Sequence, residues 1–254
     1  MRQNHSLLVP VLAGNWKMYK GPTATREFFA LFCAHYAPHP DRTVLFCPPA
    51  VSLGAAQEAL LARPDLQLGV QNIHWTEEGA FTGETSALHA REAGASFALI
   101  GHSERRHLFG ETDDEVRRKV SRALDHDLIP VVCVGETLEE RHAQQVEAVI
   151  ARQLEAALAG VPMGYQGPFL VAYEPVWAIG TGVTAAPADA IAAHALLRGR
   201  LETRFPGVRV PILYGGSVKP NNARDLLVAQ GVDGLLVGGA SLDPIAFAEI
   251  ASTG

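Results

Sequence analysis

Short apolar runs recur along the whole chain at near-even intervals. They are Val9-Pro-Val-Leu-Ala13, Thr43-Val-Leu-Phe-Cys47, Leu66-Gln-Leu-Gly-Val70, Phe97-Ala-Leu-Ile100, Ile129-Pro-Val-Val-Cys-Val134, Phe169-Leu-Val-Ala-Tyr173, Pro211-Ile-Leu-Tyr214 and Gly234-Leu-Leu-Val237. Most are continuous, without polar alternation, which is how strands covered on both faces read. Between them lie segments of helical length with start signals. Thr112-Asp-Asp-Glu115 and Thr137-Leu-Glu-Glu140 fit the capping box, in which the Thr and Glu side chains satisfy free backbone N–H groups. Asn221 or Asn222 is positioned to cap a helix ending at Gly231, and 188–205 repeats apolar residues at helical spacing. Strands alternating with helices imply parallel pairing through right-handed crossovers, in a closed barrel or an open doubly wound sheet. The count of eight and the even spacing favour an α/β fold of the (β/α)8 barrel kind. No linker or shift in composition divides residues 1–254, so a single barrel domain is expected.

Composition supports this and narrows the chemistry. The 254 residues suit one such barrel, which usually takes roughly 250. A hydrophobic fraction of 48% supplies a full core, and 19% charged residues is too few for a disordered chain. The net charge of −6 argues against nucleic acid as a partner, while leaving room for an anionic substrate at a local positive cluster. Lysines are scarce: Lys17, Lys20, Lys119 and Lys219. The three cysteines, Cys33, Cys47 and Cys133, are odd in number and lack a C-x-x-C pair, so they read as buried thiols in a reducing compartment. Leu7-Leu-Val-Pro-Val-Leu-Ala13 faintly resembles a signal-peptide core, but its proline and its passage into Gly14-Asn-Trp-Lys17 favour a first strand. No run reaches the roughly 18–20 apolar residues of a membrane helix. A soluble, cytoplasmic protein with no membrane partner is expected.

In barrels of this kind the active site lies at the C-terminal ends of the strands. The residues found there are Asn15 and Lys17, then Gln71 and Asn72, then His102, Ser103 and Glu104, then Glu136, then Glu174. The last two strands are followed by Gly215-Gly216-Ser217 and Gly238-Gly239. Paired glycines let backbone N–H groups approach an anion closely, which makes the last two mouths a candidate phosphate cradle with Ser217 and Gly180. Lys17 is suited to neutralise substrate charge. His102 enters an apparent helix whose free N–H groups oppose its protonation, so a neutral imidazole able to polarise a carbonyl is expected. Glu104 is either a structural acid or a partner of Lys17 or substrate; Arg105 and Arg106 read as ion-pair partners. Glu174 ends an apolar run at Pro175, and Val176-Trp-Ala-Ile-Gly180-Thr-Gly182 has the stiff and flexible ends of a closing lid. There is no metal-ligand cluster and no nucleophile–base pair. One carboxylate, one imidazole, one ammonium and a phosphate cradle suit removal of a proton α to a carbonyl, with the oxyanion held.

Five motifs carry a family resemblance: Ala13-Gly-Asn-Trp-Lys-Met18, Gly101-His-Ser-Glu-Arg-Arg106, Ala172-Tyr-Glu-Pro-Val-Trp-Ala-Ile-Gly-Thr-Gly182, Tyr214-Gly-Gly-Ser-Val218 and Gly238-Gly239. Their kind and order, over about residues 9–250, resemble the triosephosphate isomerase family, which is also the standard illustration of a glutamate base facing a neutral histidine. The resemblance implies that Glu174 shuttles the proton between adjacent carbons of dihydroxyacetone phosphate and glyceraldehyde 3-phosphate. It makes His102 the electrophile, and Lys17 and Asn15 the groups that stabilise the enediolate. Gly180, Ser217, Gly238 and Gly239 become phosphate-binding, and Pro175 to Val183 becomes the lid. It implies no metal and no organic cofactor. It also makes Asn72 to Ser86, a long connection containing Trp75 and Phe81, the loop that inserts into a second subunit of a homodimer. Tyr19 departs from the commoner Asn, and the start before Val9 is slightly long. A Schiff-base aldolase is a poor rival, since no lysine lies in the run ending at Glu174. A catalytically idle binding or adhesion barrel is the rival from another class, and the intact set Asn15, Lys17, His102 and Glu174 argues against it.

Overall fold

The computed structural model describes residues 7–179 and 187–253. Eight strands form: β1 (Val11–Asn15), β2 (Thr43–Cys47), β3 (Leu66–Val70), β4 (Phe97–Ile100), β5 (Ile129–Val134), β6 (Leu170–Tyr173), β7 (Ile212–Tyr214) and β8 (Gly234–Val237). Each pairs in parallel with its neighbours in sequence, and β8 pairs with β1, Val11 opposite Gly234, closing the barrel. The open-sheet alternative is thereby excluded. Around the barrel run α1 (Pro22–His35), α2 (Leu53–Ala59), α3 (Ala87–Glu92), α4 (Ser103–Leu108), α5 (Asp113–Asp125), α6 (Leu138–His142), α7 (Val146–Leu158), α8 (Pro187–Arg204), α9 (Pro220–Leu227) and α10 (Pro244–Ser252).

The unbroken apolar runs conceal a period of two. Val11, Ala13, Leu45, Phe97, Leu99, Val131, Cys133, Leu170, Ala172, Leu213 and Leu236 fill the barrel interior. Their neighbours Leu12, Val44, Phe46, Ala98, Val132, Val171 and Leu235 face outward into a second layer shared with the helices. Both faces are apolar because both are covered, which is why alternation is invisible in the sequence. In the outer layer Trp16 packs edge-on against Phe28 (4.6 Å) and Phe46 (6.0 Å), with Phe29, Phe32 and Phe247 completing a cluster. Trp16 is completely buried and directly precedes Lys17, so this cluster fixes the end of β1.

Both predicted capping boxes form, at Thr112–Glu115 and Thr137–Glu140. The asparagine expectation needs correction. Neither Asn221 nor Asn222 is the cap residue of α9; Asn222 works from inside the first turn, accepting the Lys219 N–H at 2.8 Å through Oδ1. The helix then stops at Leu227, and Gly231 adopts left-handed φ +85° four residues later. Pro220 takes the first helical position, where its missing N–H costs nothing, and so moves the start forward. All three cysteines are free, Cys33 half-buried and the other two buried. Among the described residues no helix is long and apolar enough to cross a membrane.

Candidate active site

Glu174 follows β6 and its backbone N–H donates to Val134 O of β5 at 2.8 Å, so the barrel ladder itself fixes the Cα. The approach is so close that a Cβ on Gly135 would lie 1.7 Å from the Glu174 carbonyl oxygen, and one on Gly215 would lie 3.0 Å from Glu174 Cγ. Glycine at both places is therefore a condition for this carboxylate's position, beyond any role in turning the chain. The side chain is 2% exposed. One carboxylate oxygen accepts the Ser103 backbone N–H at 2.8 Å, and the other lies 3.0 Å from His102 Nε2.

His102 occupies the cap position of α4, with its Nδ1 accepting the Glu104 N–H at 3.3 Å. That bond puts the imidazole proton on Nε2, aimed at Glu174. Burial works against charge on His102, yet the adjacent Glu174 carboxylate outweighs it and lifts the imidazole above its ordinary value. A second proton would have to enter at Nδ1, against the Glu104 N–H. Burial alone would raise the Glu174 pKa, but His102, the Ser103 N–H and Lys17 hold it below the usual glutamate value. The carboxylate is thus ionised at neutral pH while shielded from water, the state a general base requires.

Lys17 reaches across the mouth to Glu104, Nζ to Oε1 at 2.6 Å, which settles Glu104 as its partner. The same ammonium lies near Gly238, 3.9 Å from where a Cβ would stand. Asn15 is buried and its Oδ1 accepts the Lys17 N–H at 3.0 Å. On the far rim, Ser217 O accepts from Asn222 Nδ2 at 3.1 Å, and Gly238 O accepts the Ser241 N–H and hydroxyl at 2.9 and 2.7 Å. A Cβ on Gly239 would meet nothing within 4 Å, so open space lies above it. Gly180 lies outside the described residues, as does the part of the predicted lid from Gly180 to Val183.

Two strand-end residues serve other purposes. Glu136, fully buried, lies beneath Val176–Ala178, in the first half of the predicted lid. It accepts from Tyr173 Oη (3.1 Å to each oxygen), Trp177 Nε1 (2.9 Å) and Arg141 (3.3 Å), while the Arg141 guanidinium sits 4.7 Å above the Trp177 ring. Asn72 bonds Lys119 and Glu84 instead of facing the mouth. Arg106 pairs with Asp113 and also grips Gly101 O, both at 2.8 Å; Arg105 approaches Glu111 at 3.7 Å. Sequence reasoning placed Ser103 at the fourth mouth and gave it no task, because its contribution is a backbone N–H that any residue but proline supplies.

The fold and the site together define a (β/α)8-barrel enzyme with a shielded carboxylate facing an imidazole at the strand ends. A family profile described as triosephosphate isomerase matches residues 10–254. The chain is 46% identical over 244 residues to the triosephosphate isomerase of Solibacter usitatus (strain Ellin6076), covering 95% of this chain and 98% of that one. It is 45% identical to that of Roseiflexus sp. (strain RS-1), covering 95% and 96%. It is also similar to the crystal structure of triosephosphate isomerase from Bartonella henselae, with a TM-score of 0.86 and 39% identity over 96% of this chain and 98% of that one. The chain belongs to the triosephosphate isomerase family. Its reaction is the reversible interconversion of glyceraldehyde 3-phosphate and dihydroxyacetone phosphate, an aldose–ketose isomerisation of glycolysis.

Proposed function

We propose that Glu174 is the base of this isomerisation, removing a proton from one carbon of the bound triose phosphate and returning it to the next. His102 donates its Nε2–H to the substrate oxygens once Glu174 has turned to the carbon, polarising the carbonyl and stabilising the enediolate. Lys17 and Asn15 add positive charge and a hydrogen-bonding amide beside the same oxygens. Gly180, Ser217, Gly238 and Gly239 receive the phosphate, whose charge the backbone N–H groups and Lys17 offset. Pro175 to Val183 closes over the site and excludes water. The observation that carries this reading is the buried carboxylate held 3.0 Å from an imidazole nitrogen whose proton faces it. The test is turnover of glyceraldehyde 3-phosphate by Glu174→Ala. A loss of several orders of magnitude is expected, because the base acts in the chemical step; turnover within tenfold of the parent would sink the assignment.

The working form is a cytoplasmic homodimer joined through Asn72 to Ser86, with no nucleic-acid or membrane partner. Supporting the dimer, the loop is a built structure that presents an apolar surface. His74 stacks between Trp75 and Phe81, its backbone N–H donating to Thr85 O at 2.8 Å. Phe81 and the neighbouring Phe109 are nonetheless 43% and 70% exposed in the single chain. Sedimentation should find a species near twice 27.2 kDa. A stable, active monomer would contradict the docking loop.

A further inference from the structure

Lys17 is held in an unfavourable backbone conformation, and the group that holds it has no part in the reading above. Its φ is +51°, in the left-handed region that a residue with a Cβ avoids unless its surroundings impose it. On one side is Trp16, fixed in the aromatic cluster; on the other is Met18, 94% exposed, with the Tyr19 N–H closing the turn onto Trp16 O at 3.2 Å. The Lys17 N–H is taken by Asn15. Its carbonyl is taken by Gln71, the residue after β3, whose Nε2 donates to Lys17 O at 2.8 Å and to Cys47 O at 2.8 Å. Both partners are acceptors, so only the amide NH2 can face them; the flipped amide would set oxygen against two oxygens. Cys47 ends β2 and also accepts the Trp16 N–H at 3.1 Å. One side-chain nitrogen on the third strand mouth thus fastens the first mouth to the second.

We propose that Gln71 is a positioning residue for Lys17, imposing the left-handed turn that sends Nζ over Glu104 and Gly238 and not outward into solvent. The inference rests on the reading of Lys17 as a partner of substrate charge. Gln71→Met removes both donors at similar volume. With two hydrogen bonds lost, KM for glyceraldehyde 3-phosphate and the dissociation constant of inorganic phosphate, read by calorimetry on the full chain, should each rise by about tenfold. Gln71→Asn, which keeps an amide but not its reach, carries the same expectation should the methionine variant not fold.

The decisive measurement repeats Gln71→Met in a Lys17→Met background. A residue acting through Lys17 should then change phosphate affinity by less than about twofold. Equal weakening in both backgrounds would show that Gln71 supports the barrel mouth generally, overturning the inference while leaving Lys17 in its role. Parent constants in the single Gln71 variants would overturn it as well. If Lys17→Met binds phosphate as tightly as the parent, the reading of Lys17 fails and the inference goes with it.

Discussion

Replacing Glu174 by Asp tests position separately from chemistry. The substitution keeps a carboxylate and withdraws it by one methylene, about 1.5 Å. In the parent the two oxygens lie 2.8 Å from the Ser103 N–H and 3.0 Å from His102 Nε2, so withdrawal takes both beyond hydrogen-bonding reach. The Cα cannot follow, because the Glu174 N–H is bound to Val134 O and its carbonyl faces Gly135. A misplacement on the order of 1 Å in a reacting group costs about 10²-fold, or about 2.7 kcal/mol of barrier. Glu174→Gln keeps the length and shape but has no basic oxygen, and loss of a general base costs up to about 10⁴-fold. The expected order of kcat is therefore Glu, then Asp about two decades lower, then Gln about four decades lower, with KM changed only a few-fold. An assay that reduces the dihydroxyacetone phosphate formed and follows NADH reads all three. A glutamine variant as fast as the aspartate variant would refute the reasoning, since shape would then matter more than basicity.

Three further outcomes follow from the same geometry. Lys119 and Glu111 form an ion pair with both side chains almost wholly buried, and Lys119 also donates to Asn72 Oδ1 at 2.7 Å. Lys119→Met leaves Glu111 with only Arg105 nearby and should cost about 3 kcal/mol, or about 6–12 °C in Tm for a chain of this size. Adding Glu111→Leu should recover at least half of that loss, and calorimetry showing the double variant less stable than the single one would contradict a buried-charge penalty. Gly135→Ala forces a methyl into the Glu174 carbonyl and should lower Tm by at least about 6–12 °C, from a backbone clash of about 3 kcal/mol or more; an unchanged Tm would mean the β5–β6 spacing is not as described. The His102–Glu174 pair gives the pH dependence. The Glu174 contribution, with its depressed pKa, is present above the ordinary value of 4.5 and is lost as pH falls through the folded value. The His102 contribution, with its raised pKa, is present below 6.5 and is lost as pH rises through the folded value. Urea midpoints should therefore favour the parent over Glu174→Gln most between those two values, and a difference flat with pH would exclude the coupling.

What could be read in the sequence and what could not divide along a physical line. Glu174, His102, Lys17 and Asn15 were legible because each is a polar residue ending an apolar run, and a strand of a parallel barrel delivers its last residue to one common face. Helix starts were legible where a side chain does the capping, at Thr112 and Thr137, and less so at α9, where the first-position proline displaces the boundary. Glu136 shows the limit of the rule. It too follows a strand, yet it turns away from the mouth because Tyr173, Trp177 and Arg141 converge on it. The pairing of β5 with β6, Val134 opposite Tyr173, brings those three together, and nothing in the local pattern around Glu136 indicates it.

The same distinction explains why the sequence could name the candidate groups without giving their state. Glu174 is a buried carboxylate whose surroundings oppose one another: burial favours the neutral acid, while His102, the Ser103 N–H and Lys17 favour the carboxylate. Two of these counterweights, His102 and the Ser103 N–H, come from the fourth strand mouth and the third, Lys17, from the first. His102 shows the same balance reversed. The start of α4 resists a second proton at Nδ1, while the carboxylate beside Nε2 invites charge. If Glu174 leaves His102 for the substrate carbon, the carboxylate loses the N–H that held its charge and becomes a stronger base, and the imidazole, no longer beside a carboxylate that favours a second proton, keeps its Nε2–H to give. A pair of this kind needs both residues buried and on rigid elements. The barrel meets that requirement through backbone contacts at Gly135, Gly215 and Val134, where side-chain identity leaves almost no trace in the sequence beyond the two glycines.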